Sequence, residues 1–229
     1  MTNKEFADRL AKRTKRVGLS VAPPLAEALE TYYRLLEFWN QKINLTAFSL
    51  VDAPDEAIDR LLVEPLVASR LFHGAHGHGH IHEQLSHHPR VLDIGSGGGS
   101  PAIPLKLATP SIHLMMVESK TRKSAFLREA IRQLNLENTS VETARAEDLI
   151  TRPELHESQE ILTIRAVRIE QKLLTRLQAF LRLGGRILLF RSNVTNDAPP
   201  LVSPPLAYEA TYPLVESMGS RLVILRKML

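Results

Sequence analysis

The apolar positions of the chain follow a helical period over its first third. Apolar and aromatic side chains recur at helical spacing in Leu25, Leu29, Tyr32, Tyr33, Leu36 and Trp39. Pro54, with Asp55 and Glu56 behind it, is typical of a helix start, and Pro65 is expected to kink or interrupt that helix one turn before its end. The pattern therefore predicts a helical N-terminal cap over residues 1–72.

From Arg90 onward, short apolar runs alternate with amphipathic stretches. The runs predict strands at Val91–Ile94, Ile112–Glu118, Ser140–Thr143, Ile161–Ile164 and, behind a turn at Gly184–Gly185, Arg186–Phe190. The stretches predict helices at Pro101–Leu107, Thr121–Leu134 and Ile169–Leu181. Two last runs, Tyr208–Leu214 and Arg221–Arg226, predict an antiparallel hairpin. Regular alternation predicts an α/β fold over residues 90–229, with a mostly parallel sheet and helices on both faces.

Residues 73–89, between these two regions, have the composition of a loop, with seven histidines and interspersed glycines. In an extended segment, every second side chain lies on the same face, so His76, His78, His80 and His82 would share one face. Glu83 is the single nearby acid, however, and no cysteine completes a closed ligand set. We therefore predict no metal site.

The composition narrows the classes of function. The 229 residues are 44% hydrophobic, enough for a core, and the absence of cysteine excludes disulfides, thiolate zinc sites and cysteine nucleophiles. No apolar run reaches the roughly 18 residues of a membrane span. The basic N-terminus is not followed by the apolar region of a secretory signal. A cytoplasmic location is expected.

Positive charge is clustered although the net charge is only +4. Six lysines and arginines lie in the first 16 residues, and a second group comprises Lys120, Arg122, Lys123, Arg128 and Arg132. Such clusters suit a nucleic-acid phosphate backbone, although a solvated basic face on an ordinary enzyme would have the same pattern.

A strand that runs into glycines and then into a helix, residues 91–101, is the strongest sign of a ligand site. Gly97, Gly99 and Ala102 satisfy the spacing of a dinucleotide site. Asp93, Gly95, Gly97 and Gly99 satisfy the acid-x-G-x-G-x-G spacing of a methyltransferase. Both classes place an acid after the second strand, here Glu118, for ribose hydroxyls. The loop alone therefore leaves a dinucleotide-dependent oxidoreductase and a methyltransferase open.

Three features favour the methyltransferase: Asp93 two residues before the first glycine, the C-terminal hairpin, and glycines that come early in the α/β region behind a helical cap. Several sequence segments match motifs of a known family. They are, in order along the chain, Leu35–Asn40, Ile43–Thr46, Asp93–Pro104, Val117–Ser119 with Lys123 and Phe126–Leu127, Arg145–Glu147, and Arg165–Ala166. Together they resemble the RsmG (GidB) family of ribosomal RNA methyltransferases over roughly residues 30–192.

The resemblance implies a class I fold that transfers methyl from S-adenosylmethionine to guanine N7 in 16S ribosomal RNA of the small subunit. It implies a methionine site at Asp93, Gly95, Ser96, Gly97 and Gly99, a pocket wall at Ser100, ribose binding by Glu118, and adenine contacts from Ala146 and Glu147. Arg165 and Arg191 are the candidates for positioning. The clustered charge predicts RNA contacts from Lys120, Arg122, Lys123 and Arg128. Because N7 has a lone pair and no proton, no catalytic acid or base is expected. A monomer is favoured.

Several positions depart from the family pattern. Leu61 and Pro65 stand where histidine and serine are usual, and Ala102 replaces a glycine. Arg191 and Ser192 replace a lysine and a glycine after the fifth strand, and Glu160 stands where an aspartate is usual. These departures concern the substrate side more than the donor side. They leave open a catalytically silent RNA-binding relative as an alternative to an active enzyme.

Overall fold

The computed structural model describes residues 1–73, 84–165, 171–192 and 202–228. The first range folds into the predicted helices. They are α1 (Asn3–Arg16), α2 (Pro23–Asn40), α3 (Asp55–Ile58), a π-helical turn (Asp59–Val63) and α4 (Glu64–His73). Helix α1 begins with a capping box, in which the Glu5 N–H donates to the Thr2 hydroxyl and the Thr2 N–H donates to the Glu5 carboxylate.

The regular α-helix is interrupted by a π turn directly before Pro65, but the helix continues further beyond the proline than the single turn that the sequence predicted. Helical structure is continuous from α3 through the π turn into α4, which ends at His73. The π turn comes directly before Pro65, and in it the Glu64 N–H donates to the Asp59 carbonyl, five residues back. The wider turn accommodates the proline, which has no N–H to donate and would clash with the carbonyl four residues back in a regular α-helix.

Seven strands form one sheet in the order β3-β2-β1-β4-β5-β7-β6. The strands are β1 (Arg90–Ile94), β2 (His113–Val117), β3 (Thr139–Glu142), β4 (Gln159–Arg165), β5 (Leu181–Arg191), β6 (Leu206–Pro213) and β7 (Arg221–Lys227). The connecting helices are α5 (Ala102–Ala108), α6 (Thr121–Gln133), α7 (Ala146–Leu149) and α8 (Gln171–Leu177). Strands β1 to β5 pair in parallel, and β7 is antiparallel to both of its neighbours. The predicted α/β fold with a C-terminal hairpin is confirmed.

Strand β5 begins earlier than the sequence predicted. Gly184 and Gly185 lie inside it rather than in a turn before it, because Leu181 already pairs with Gln159 of β4. The register shifts between Gln159 and Ile161, so the glycines occupy an irregular part of the strand.

Two apolar clusters cover the two faces of the sheet. Phe6 and Leu36 of the cap share one cluster with Ile103 of α5 and Phe126 of α6. The other cluster joins the alternate side chains of the strands to α7 and α8, through residues such as Leu92, Leu149, Leu174 and Leu177. The cap therefore packs on the same side of the sheet as α5 and α6. In the described ranges, no helix is long and apolar enough to cross a membrane.

Candidate functional site

The carboxyl ends of three adjacent parallel strands meet where β1 runs into the glycine loop. Ile94 of β1 pairs with Val117 of β2 on one side and with Ile164 of β4 on the other. The strand order reverses here, since β2 follows β1 in one direction and β4 lies in the other. Ligands of open α/β sheets bind in the crevice at such a position.

The glycine loop uses its glycines for two different purposes. Gly97 and Gly99 have φ values of 51° and 85°, in the left-handed region. A Cβ at Gly99 would lie 2.5 Å from Ile103 Cδ1, so this glycine allows the helix behind it to pack closely. A Cβ at Gly97 would have no atom nearer than 3.7 Å, the Gly95 carbonyl oxygen. Gly97 therefore borders open space, as a ligand-facing position must.

Glu118 fastens the glycine loop to the end of β2. One carboxylate oxygen accepts the Gly97 N–H at 3.0 Å, and the other accepts the Lys120 N–H at 2.7 Å. Both bonds come from backbone groups, so Glu118 is held in one orientation beside the loop. This is the carboxylate that the sequence predicted for ribose hydroxyls.

Asp93 is a buried carboxylate with one unsatisfied oxygen. Its Oδ1 accepts the Thr163 hydroxyl at 2.5 Å, while its Oδ2 has no hydrogen-bond partner among the described residues. Ser96 donates its hydroxyl to the Asp93 carbonyl oxygen at 3.2 Å and thereby closes the turn. Burial raises the pKa of Asp93. A buried polar atom without a partner is unusual and points to a bound group that supplies a donor.

A cavity of about 470 Å³ opens in front of the glycine loop. Its wall contains the loop itself, residues 45–48 of the cap, parts of α3 and the π turn, and single residues from the ends of β2, β4 and β5. Of the predicted site residues, those that line it are Gly95, Ser96, Gly97, Ser100, Glu118, Lys123 and Arg165. The volume is within the ordinary range for small-molecule sites.

The cap is attached directly to the glycine loop. The Tyr32 hydroxyl donates to the Gly98 carbonyl at 2.6 Å. The Asn40 side chain accepts the N–H groups of Leu45 and Thr46 at 2.7 and 2.9 Å, which shapes the segment after α2. A Cβ at Gly98 would lie 3.3 Å from the Leu45 carbonyl oxygen, so the segment and the loop touch. These contacts give the motifs Leu35–Asn40 and Ile43–Thr46 a structural role.

A buried charge network stands behind the cavity wall. Glu64 is fully buried and pairs with Arg60 Nη1 and with Arg165 Nη2, each at 2.9 Å. The Arg165 guanidinium also lies 4.5 Å from the centre of the Phe190 ring. Burial lowers the pKa of Arg165 to about 10, which still leaves it charged at neutral pH. Arg165 is therefore held rigidly at the carboxyl end of β4.

Pro65 leaves two backbone carbonyl groups without helical partners, and these carbonyls accept hydrogen bonds from two side chains of the site. Because proline has no N–H, the carbonyl of Arg60 lacks a partner in the π turn, and that of Leu61 lacks its α-helical partner. Arg165 Nη1 donates to the Arg60 carbonyl, and the Ser100 hydroxyl donates to the Leu61 carbonyl at 2.8 Å. The departures from the family pattern at Leu61 and Pro65 thus coincide with contacts from the cap to the glycine loop and to β4.

Other predicted residues lie outside the cavity wall. Ala146 and Glu147 begin α7, with Glu147 exposed. Arg191 is exposed at the end of β5 and pairs across the ladder with Arg221, whereas its neighbour Ser192 does line the cavity. The histidine stretch from His76 to His82, and Ala166, are outside the described residues.

The predicted RNA-binding residues fall into three kinds. Lys120 and Arg122 are exposed at the start of α6, and neither side chain pairs with another described residue. Lys123 faces the cavity. Arg128 is exposed but already occupied, since its Nη2 donates to the Thr143 hydroxyl at 2.8 Å and to the Val141 carbonyl.

Sequence reasoning missed Glu56, Phe48 and Met218, which line the cavity, and Glu64 behind it. The spacing Glu56, Arg60, Glu64 was visible as a row along one helix face. Met218 comes from the turn between β6 and β7, and no pattern in the sequence connects it to the glycine loop.

The strand order, with antiparallel β7 inserted beside β5, and the glycine loop after β1 define a class I S-adenosylmethionine-dependent methyltransferase fold. A putative methyltransferase from Escherichia coli, yhhF, has a similar structure, with a TM-score of 0.54 and 14% identity over 71% of this chain and 86% of that chain.

The family model for rRNA small subunit methyltransferase G (GidB) matches residues 25–198. Two relatives carry the name ribosomal RNA small subunit methyltransferase G. The protein from Carboxydothermus hydrogenoformans is 34% identical over 76% of this chain and 68% of its own length. The one from Xylella fastidiosa is 33% identical over 87% of this chain and 85% of its own. The chain belongs to this family, which confirms the resemblance and decides against the dinucleotide-dependent oxidoreductase.

Proposed function

We propose that the protein transfers the methyl group of S-adenosylmethionine to N7 of a guanine in 16S ribosomal RNA. The observation that carries the proposal is the cavity between the glycine loop and the cap, in a chain of this family. Its substrate is the RNA of the small ribosomal subunit, it works as a monomer in the cytoplasm, and residues 1–72 act as a cap on the domain of residues 90–229.

The residues present fit the donor. The unsatisfied Asp93 Oδ2 is suited to accept from the ammonium group of the methionine part. Gly97, with no side chain toward the cavity, leaves room for that part, and Glu118 stands beside the loop for the ribose hydroxyls. Ala146 and Glu147 would flank the adenine from the start of α7. When bound, the donor supplies an electrophilic methyl group on a sulfonium centre.

The protein's contribution to the reaction is positioning. Guanine N7 carries a lone pair and no proton, so the chain has to align the base and exclude water rather than remove a proton. Arg165, held by Glu64 and the Arg60 carbonyl, is the positioning residue at the cavity, and Arg191, next to the cavity-lining Ser192, is a second candidate. Lys123 stands in the wall, while Lys120 and Arg122 are free to contact phosphates nearby.

The test is transfer of labelled methyl from S-adenosylmethionine to purified small ribosomal subunits and to naked 16S RNA. We expect the label at one guanine, as 7-methylguanosine after digestion of the RNA. A parallel binding measurement with NAD should show no complex. Binding of the donor without any methyl transfer would instead identify the catalytically silent RNA-binding relative.

A further inference from the structure

The cavity wall contains a carboxylate, that of Glu56, without a hydrogen-bond or ion-pair partner among the described residues. Glu56 lies in the first turn of α3, is exposed and lines the cavity. Its carboxylate makes no hydrogen bond or ion pair with any other residue of the described ranges. Glu118 accepts two backbone N–H groups and Glu64 holds two arginines, whereas the unsatisfied oxygen of Asp93 is buried behind the glycine loop and is proposed for the donor.

The nearest cation along the helix does not neutralise Glu56. Arg60 is four residues further on the same face and lines the same cavity. Its Nη1, however, lies between the two oxygens of Glu64, at 2.9 and 3.1 Å. Glu56 therefore presents two free acceptor atoms to a ligand, and an ionised carboxylate can only accept hydrogen bonds.

Phe48 supplies an aromatic ring in the same wall. It is half-buried, and its N–H donates to the Thr46 hydroxyl at 3.2 Å. The N–H of Thr46 is in turn held by the Asn40 side chain, so the segment that carries the ring is fixed to the end of α2. Proteins recognise an unstacked base by stacking it on an aromatic side chain and by forming hydrogen bonds to its edges, and a free carboxylate can supply the acceptors for those bonds.

We infer that Glu56 and Phe48 form the subsite of the acceptor base, and that Glu56 selects guanine. This inference rests on the proposed function. Guanine presents N1–H and the exocyclic amino group side by side, and the two oxygens of Glu56 accept one hydrogen bond from each. The N7 edge, on the other ring of the purine, stays free for the methyl group. Adenine is rejected, because its N1 lone pair would face the carboxylate.

The experiment compares guanosine with inosine at the nucleotide that the wild-type enzyme methylates, in otherwise identical small subunits. Inosine keeps N7 and N1–H but lacks the amino group. We expect the wild-type enzyme to have a kcat/KM about tenfold lower with inosine, the effect of one lost charge-assisted hydrogen bond. In Glu56→Ala, guanosine and inosine should react equally, because the group that tells them apart is gone.

Glu27→Ala is the matched control, since Glu27 is an exposed carboxylate on α2 that does not line the cavity. It should keep the wild-type preference for guanosine. Calorimetric titration with S-adenosylmethionine shows whether Glu56→Ala is folded, because its donor affinity should be unchanged. The inference is overturned if Glu56→Ala still prefers guanosine tenfold, or if the wild-type enzyme does not discriminate. Failure of the proposed function would give a different result, because the wild-type protein would then transfer no methyl group to either nucleoside.

Phe48 is tested separately by Phe48→Leu. Loss of a stacking ring should raise KM by about tenfold or more for guanosine and inosine alike, and leave their ratio unchanged. An unchanged KM would remove Phe48 from the subsite while leaving the role of Glu56 intact.

Discussion

At the scale of single residues, Gly97 combines a left-handed backbone with an open side toward the cavity. Gly97→Val should place a branched side chain where the methionine part binds. We expect S-adenosylmethionine affinity to fall by more than tenfold, measured by calorimetry. The strained backbone should also cost roughly 1–2 kcal/mol of stability.

Gly219→Val separates strain from contact with the donor. Gly219 has a φ of 57°, close to the 51° of Gly97, and a Cβ there would meet nothing within 4 Å. It should lose similar stability and keep its donor affinity. Equal donor affinity in the two variants would contradict the assignment of the glycine loop to the donor.

At the scale of elements, Glu64 joins the helical cap to strand β4. It is fully buried and forms ion pairs with both Arg60 and Arg165. Glu64→Gln would leave two buried cations without this carboxylate. We therefore expect the free energy of unfolding, measured by denaturant titration, to fall by about 3–5 kcal/mol.

Glu129→Gln is the control for this change in the free energy of unfolding. Glu129 also pairs with an arginine, Arg132, but the arginine is exposed on α6. Its replacement should have little measurable effect, because water screens and replaces such a pair. A Glu64→Gln protein as stable as the wild type would show that the network does not hold the cap in place.

Helix α6 is the element from which we expect contact with RNA phosphates. Lys120→Glu with Arg122→Glu should weaken RNA binding and flatten its dependence on the logarithm of salt concentration by roughly two units. Lys172→Glu with Arg176→Glu is the control, since it changes charge equally at exposed positions of α8, on the other face of the sheet. An equal change of slope in both double variants would mean a general charge effect rather than a binding surface.

At the scale of the whole molecule, the absence of a proton to remove from N7 predicts the pH dependence of the reaction. With donor and RNA saturating, the single-turnover rate should be nearly constant between about pH 6 and pH 8.5. Arg165 stays charged over this range, because its pKa is about 10. Because burial raises the pKa of Asp93, its carboxylate takes up a proton at a higher pH than an exposed aspartate does, so donor affinity rather than the rate should fall as the pH is lowered.

The acceptor atom is checked by repeating the measurement with 7-deazaguanine at the target nucleotide, which should not react. A rate that climbs tenfold per pH unit, or a methylated deaza substrate, would indicate an acceptor that must first lose a proton.

Features that depend on neighbours along the chain could be predicted from the amino-acid sequence. Helix and strand periods predicted nearly every element of the described residues, because a side chain's face repeats with the local geometry of the backbone. The glycine loop was visible as well, since strand, glycines and helix follow one another without interruption. The boundary of β5 was misplaced because Gly184 and Gly185 are typical of turns, and only pairing with β4 keeps them in the strand.

The residues that share the cavity are distant in the sequence, and the packing of the elements brings them together. Glu64 meets Arg165 across about a hundred positions of sequence, and Met218 reaches the wall from the last hairpin. The unsatisfied oxygen of Asp93 and the free carboxylate of Glu56 are likewise properties of their surroundings, not of their sequence motifs. Burial, charge pairing and cavity shape arise from contacts between elements. Those contacts depend on the order of the strands in the sheet, which the hydrophobic period of a single element does not predict.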